Sequence, residues 1–116
     1  MPLYMVEKMM DGVTLLDMRG RIILGEESQA FRRKIRELID AGHRRLILDL
    51  GEISHVDSVG LGALVASFTS MRKEGGELKL VHLPKGVHQL LQITRLATVF
   101  EIHNNLESEG GLLDDQ

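Results

Sequence analysis

Residues 45–71 pass from one hydrophobic repeat to another, and that change limits the fold more than any other feature of the chain. Arg45-Leu46-Ile47-Leu48-Asp49-Leu50 has the β-branched and aliphatic character of a core strand. Leu61, Leu64, Val65, Phe68 and Met71 then recur at helical spacing. Between them stands Asp57-Ser58-Val59-Gly60-Leu61-Gly62, an acid and a hydroxyl followed by glycines that leave the backbone open. The spacing predicts Ser58 at or near a helix N-cap, its oxygen accepting a bond from an otherwise unpaired backbone N–H. Free N–H groups and the helix dipole favour added negative charge at that position. A serine so placed is either a plain cap or a phosphorylation switch. Asp57 can serve as a cap as well, which would leave the Ser58 hydroxyl free.

The remaining elements follow from the same repeats. Leu3 to Met10 reads as a first strand, and Asp11-Gly12 is a strong two-residue hairpin turn into a second strand at Val13–Met18. Gly20 to Gly25 reads as a loop with a short extended piece at Ile22-Ile23-Leu24. Glu26 to Ala41 is a first helix with the apolar stripe Phe31, Ile35, Leu38 and Ile39, and Gly42 suits the C′ position. A loop is expected over Gly51–Asp57 and a second helix over Ser58–Glu74, stopped by Gly75-Gly76. Leu78–His82 is a further strand. Pro84 suits the first turn of a third helix carrying Val87, Leu90, Leu91 and Thr94. Val99–Ile102 is a short last strand, and Leu106–Gln116 is weakly specified and acidic. A hairpin followed by strand–helix–strand steps predicts an α/β sandwich with a mixed sheet, antiparallel at its start and parallel beyond.

Composition removes whole classes of function. A chain of 116 residues fits one domain, expected to span 1–116 with a core at about 4–106 and an acidic tail at 107–116. The hydrophobic content of 43% and charged content of 27% are those of an ordinary globular protein. A net charge of −3, no tryptophan and one tyrosine argue against nucleic-acid binding. The absence of cysteine excludes disulfides, thiolate metal sites and cysteine nucleophiles. No apolar run reaches the ~20 residues of a membrane span. The opening residues lack the basic region and apolar core of a signal peptide, so a cytoplasmic, bacterial-style protein is expected.

The enzymatic alternatives are weak. No two of His43, His55, His82, His88 and His103 share a helix face at i, i+4, and neither His-Glu-x-x-His nor an Asp-x-Asp-x-Asp-Gly loop occurs. No metal and no cofactor are expected. Ser58, His55 and Asp57 could in principle form a hydrolase triad. Three residues so close in one strand exit rarely meet its geometry, and no Gly-x-Ser-x-Gly elbow is present. Gly60-Leu61-Gly62 lacks the third glycine of a dinucleotide loop, with Val65 in its place, and no Gly-x-x-x-x-Gly-Lys-Ser/Thr occurs. Arg32, Arg33, Lys34 and Arg36 flank the stripe of the first helix. They form either a basic docking patch or a solvated face, and the acidic total favours the second.

Leu46–Leu50, Ile53 and Val56-Asp57-Ser58-Val59-Gly60-Leu61-Gly62 resemble the signature of the STAS family. These are the bacterial anti-sigma factor antagonists and the related domains of sulphate transporters. The resemblance continues through Arg72–Leu80, Leu90–Leu96 and Val99-Phe100, covering roughly residues 4 to 106. It implies that Ser58 is phosphorylated by a partner serine/threonine kinase that is also the anti-sigma factor. The unmodified form would bind that kinase and free a sigma factor, and a serine phosphatase would reset the switch. Asp57, Ser58, Val59, Gly60, Leu61 and Gly62 would form the partner-binding segment. Val59 stands where many members carry a second Ser or Thr, leaving Ser58 the one acceptor in the motif. Members often have Gly-x-Leu-Asp after the second strand. This chain has Gly20-Arg21-Ile22-Ile23 and lacks that acid. The resemblance implies no direct contact with nucleic acid or membrane, and leaves the oligomeric state open between monomer and weak dimer.

Overall fold

The computed structural model describes residues 2–93 and the backbone of 101–103. The strands are β1 (Tyr4–Met10), β2 (Val13–Ile22), β3 (Arg45–Val56), β4 (Glu77–Val81) and β5 (Glu101–His103). The helices are α1 (Glu26–Asp40), α2 (Ser58–Lys73) and α3 (Lys85–Ile93). The strands form one sheet in the order β1-β2-β3-β4-β5. Only the β1–β2 pair is antiparallel; β2–β3, β3–β4 and β4–β5 are parallel. This is the mixed α/β architecture expected. The hairpin closes as expected too, with Asp11 and Gly12 both at positive φ (50° and 80°), the signature of a type I′ turn.

Two expected loops are strand instead. β2 continues through Gly20 to Ile22, and β3 continues through Gly51 to Val56, so the two remain paired where loops were expected at Gly20–Gly25 and Gly51–Asp57. The extra length is accommodated by register shifts between Asp17 and Arg19 and between Gly20 and Arg21. Gly20 sits at φ 113°, with the Pro2 carbonyl occupying the space a Cβ would need. A glycine read as a breaker is here a bulge over which another strand end lies. Thr94, Val99, Phe100 and the tail lie outside the described residues.

The alternation in β3 explains its nearly unbroken apolar run. Leu46, Leu48 and Leu50 join Leu16, Met18, Leu78 and Leu80 on one face, against Phe31, Ile35, Leu38 and Ile39 of α1 and Leu61, Leu64 and Met71 of α2. Val87 and Leu91 of α3 join the same cluster. On the opposite face Ile47 packs with Val13, Leu15 and Val81. A central strand buried on both faces needs apolar residues at odd and even positions alike. Each fully buried Leu, Ile or Phe contributes ~1.5–3 kcal/mol, so this cluster is the main source of stability.

The start of α2 is pressed directly against β2. A Cβ at Gly60 would collide with the backbone carbonyl of Ile22, which cannot rotate away as a side chain would. Gly62, about half a turn along and so on the opposite side of the helix, is exposed and meets only a side-chain nitrogen of Arg32 at 3.9 Å. The two glycines therefore respond oppositely to alanine. Gly60→Ala should destabilise the protein by about 2 kcal/mol or more through overpacking. Gly62→Ala should stabilise it by ~0.5–1 kcal/mol through helix propensity. Urea denaturation of both variants checks this, and equal effects would contradict the packing described.

Candidate functional site

The site is built where β2 and β3 end and both α1 and α2 begin. Asp57 follows β3 with extended backbone (φ −95°, ψ −174°) and caps α2: its Oδ1 accepts the Gly60 N–H at 2.8 Å. Its other oxygen, Oδ2, accepts the Leu24 N–H at 2.8 Å, from the segment between β2 and α1. One carboxylate thus ties the first turn of α2 to the approach to α1. The Leu24 N–H, followed by the Gly60 N–H, holds the Asp57 pKa below its ordinary 3.8, while partial burial acts weakly in the opposite direction.

Ser58 is therefore not the cap. It is the first helical residue, exposed, and its hydroxyl has no hydrogen-bond partner among the described residues. The neighbouring acid took the cap position because it carries two acceptor oxygens and two donors face it. Val59 is half-buried, Gly60 and Leu61 are buried, and Gly62 is exposed. Of the six residues expected to form the partner-binding segment, Asp57, Ser58, Val59 and Gly62 thus reach the surface, and Gly60 and Leu61 lie beneath them.

Leu24 was not legible as part of the site. Its backbone is fixed by Asp57, and its side chain is 70% exposed beside the helix start. Nearby, Arg21 pairs with Glu27 of α1 at 3.7 Å.

The hydrolase arrangement does not form. The Ser54 hydroxyl donates to the Gly20 carbonyl at 3.1 Å and accepts from Nδ1 of His55, also at 3.1 Å. Among the described residues no bond links His55 to Ser58, and both Asp57 oxygens are engaged by backbone N–H groups. The other placed histidines are scattered: His43 meets Thr14, and His82 meets Asp49 at 3.1 Å. Among the described residues no group of three His, Asp or Glu side chains could hold a metal ion. None of the described helices is long and apolar enough to cross a membrane.

The fold is a small α/β domain with an exposed serine at the head of a helix, beside an acid that caps the helix in its stead. Residues 4–109 match the STAS domain model, and the chain belongs to the STAS domain family. An anti-sigma-B factor antagonist of Bacillus subtilis is 37% identical over 81 residues, covering 70% of this chain and 72% of that one. Among solved structures, a candidate anti-sigma factor antagonist from Thermotoga maritima superposes with a TM-score of 0.86 at 23% identity, covering 92% of each chain. The Bacillus cell fate determinant SpoIIAA in its phosphorylated form superposes with a TM-score of 0.72 at 16% identity, covering 94% of this chain and 99% of that one. At these identities the two structures bear on the fold alone.

The lowered pKa of Asp57 fixes the sign of a pH effect. A carboxylate whose folded pKa lies below its unfolded value stabilises the fold above the unfolded value, and that contribution disappears as pH falls through the folded one. Asp57→Asn keeps an acceptor for Gly60 and presents an amide N–H to the Leu24 donor. Its melting temperature should lie below that of the unsubstituted protein at pH 7. The gap should begin to shrink as pH falls below the ordinary carboxylate value of 3.8 and close once pH has passed through the lower pKa of folded Asp57. A gap that stays constant from pH 7 to pH 3 would rule out the charged double acceptor.

Proposed function

We propose that this chain is an anti-sigma factor antagonist: a binding module that engages an anti-sigma factor with serine kinase activity when unmodified, and is released by phosphorylation at Ser58. One observation carries this reading. The exposed Ser58 hydroxyl has no structural task among the described residues, because Asp57 does the capping. The name of the Bacillus subtilis relative supports the partner class. On this reading the chain is a substrate and ligand of the kinase, itself not an enzyme, and a serine phosphatase restores the binding form.

The chemistry divides between the two proteins. The Ser58 oxygen attacks the terminal phosphorus of the nucleoside triphosphate held by the kinase. The new O–P bond forms as the bond to the bridging oxygen breaks, and the nucleoside diphosphate leaves. The hydroxyl proton goes to a base on the kinase. Asp57 is a poor base, since two backbone N–H groups stabilise its ionised form. It is a positioning residue, fixing the turn that presents Ser58.

The product adds about −1.5 to −2 charges at neutral pH. At the solvent-exposed head of α2 the helix dipole tolerates that charge, so the free protein keeps its fold. At a packed interface the same charge beside Asp57 must be desolvated and meets a nucleotide-loaded partner. A loss of ~3 kcal/mol would weaken binding by about two orders of magnitude. The switch works through interface electrostatics.

Pull-downs from the native cell with unmodified protein and with Ser58→Glu, read by mass spectrometry, identify the partner. Calorimetric titration with the recovered kinase then tests the switch. Ser58→Ala should bind it like the unsubstituted protein and accept no phosphate. Ser58→Glu should bind on the order of 100-fold more weakly. Equal affinity for Ser58→Glu, or phosphate transfer to Ser58→Ala, would overturn the reading; the former result would fit a constitutive scaffold whose serine has no switching role.

A further inference from the structure

The arginines of α1 bear on the same helix end. Lys34 pairs with Glu7 and Arg21 with Glu27, whereas Arg32, Arg33 and Arg36 have no ion-pair or hydrogen-bond partner among the described residues. Arg32 and Arg36, with Ile35, line a shallow groove whose other wall is Ala66, Ser67 and Ser70 of α2. Arg33 lies outside that groove. The guanidinium of Arg32 reaches across to the first turns of α2, where one nitrogen lies 3.9 Å from the point a Gly62 Cβ would occupy. Ser58 stands one turn before Gly62 on the same helix face, the separation at which Cβ positions are roughly 5–6 Å apart. Residue 62, being glycine, puts no side chain between them.

We propose that Arg32 is the receiving cation for a phosphate on Ser58, its guanidinium moving one turn along α2 over the bare Gly62 to pair with the phosphate oxygens. The proposal rests on Ser58 being the modified residue. Guanidinium and phosphate match in a two-pronged geometry that an ammonium cannot reproduce. The pairing has two effects on a partner. Part of the new charge is neutralised within the protein, which keeps the modified form folded. A free arginine is also withdrawn from the face presented beside Ser58, so a partner with an acidic surface loses an attraction at the moment it gains a repulsion. The other charged or titratable groups at this end are His55 on β3, Asp57 at the cap of α2, Glu26 and Glu27 in the first turn of α1, and Arg21. Each is unchanged in the comparison below.

Phosphoserine placed at position 58 during translation gives homogeneous modified protein without any kinase. Its second phosphate ionisation is followed by 31P NMR across pH 4.5–8. Arg32→Gln should raise that phosphate pKa by about half a unit, as expected for loss of one exposed ion pair. Arg33→Gln should leave it in place, and Arg32→Lys should retain part of the shift. No change in Arg32→Gln, or an equal change in Arg33→Gln, would overturn the pairing. All three substitutions lie on the exposed side of α1, and an amide 1H–15N spectrum verifies the fold of each. A kinase that ignores Ser58 would remove the functional reading and leave this titration difference intact. Efficient modification with no titration difference would overturn the pairing alone.

Discussion

The Asp57 carboxylate is the contact on which the rest of this pole depends. Its two oxygens hold N–H groups that belong to different parts of the chain, Leu24 before α1 and Gly60 inside α2. Neither helix start has another side-chain cap: Gly25, at the head of α1, contributes no side-chain bond. A single ionised group thus sets the relative position of two helices at the end where the sheet finishes. Its ionisation follows from the same arrangement, since two N–H donors favour the charged form. The fold and the electrostatics of the site are one fact at this residue.

Close backbone packing completes what the carboxylate begins. With no Cβ at Gly60, α2 lies against the Ile22 carbonyl, and β2 must extend as far as Ile22 for that carbonyl to be there. Leu61 and Leu64 then anchor the helix from below, in the cluster shared with β3 and α1. The exposed upper surface of the same turns carries only Ser58 and Gly62, small groups that leave the helix face low. The Ser58 hydroxyl therefore stands on a packed base with solvent above it.

Much of the fold was legible because burial imposes periods on the sequence. The stripe Phe31, Ile35, Leu38, Ile39 marks α1, the run Leu46–Leu50 marks the first half of β3, and the Asp11-Gly12 pair marks the hairpin. The failures have a common cause. Gly20 and Gly51 look like loop residues locally, yet pairing between β2 and β3 carries both strands past them. The sequence leaves the cap open between Ser58 and Asp57, because propensity ranks serine and aspartate alike there. Only the position of the Leu24 N–H, fixed by tertiary structure, decides for Asp57. The nearness of Arg32 to Gly62 is tertiary too, since residues thirty apart carry no periodic trace of their contact.

The edge strand β1 has a consequence for how the molecule behaves among copies of itself. It pairs with β2 alone, and Tyr4, Val6, Met9 and Met10 on it are exposed. Apolar residues along an open edge invite another strand to add, the first step of aggregation. Glu7 and Lys8 interrupt the run at its middle, and each is engaged, Glu7 by Lys34 and Lys8 by Asp17. A strand docking there would have to strip water from two charges already committed elsewhere. The edge is guarded by its central pair, and self-association along the sheet is discouraged without lengthening or covering the strand.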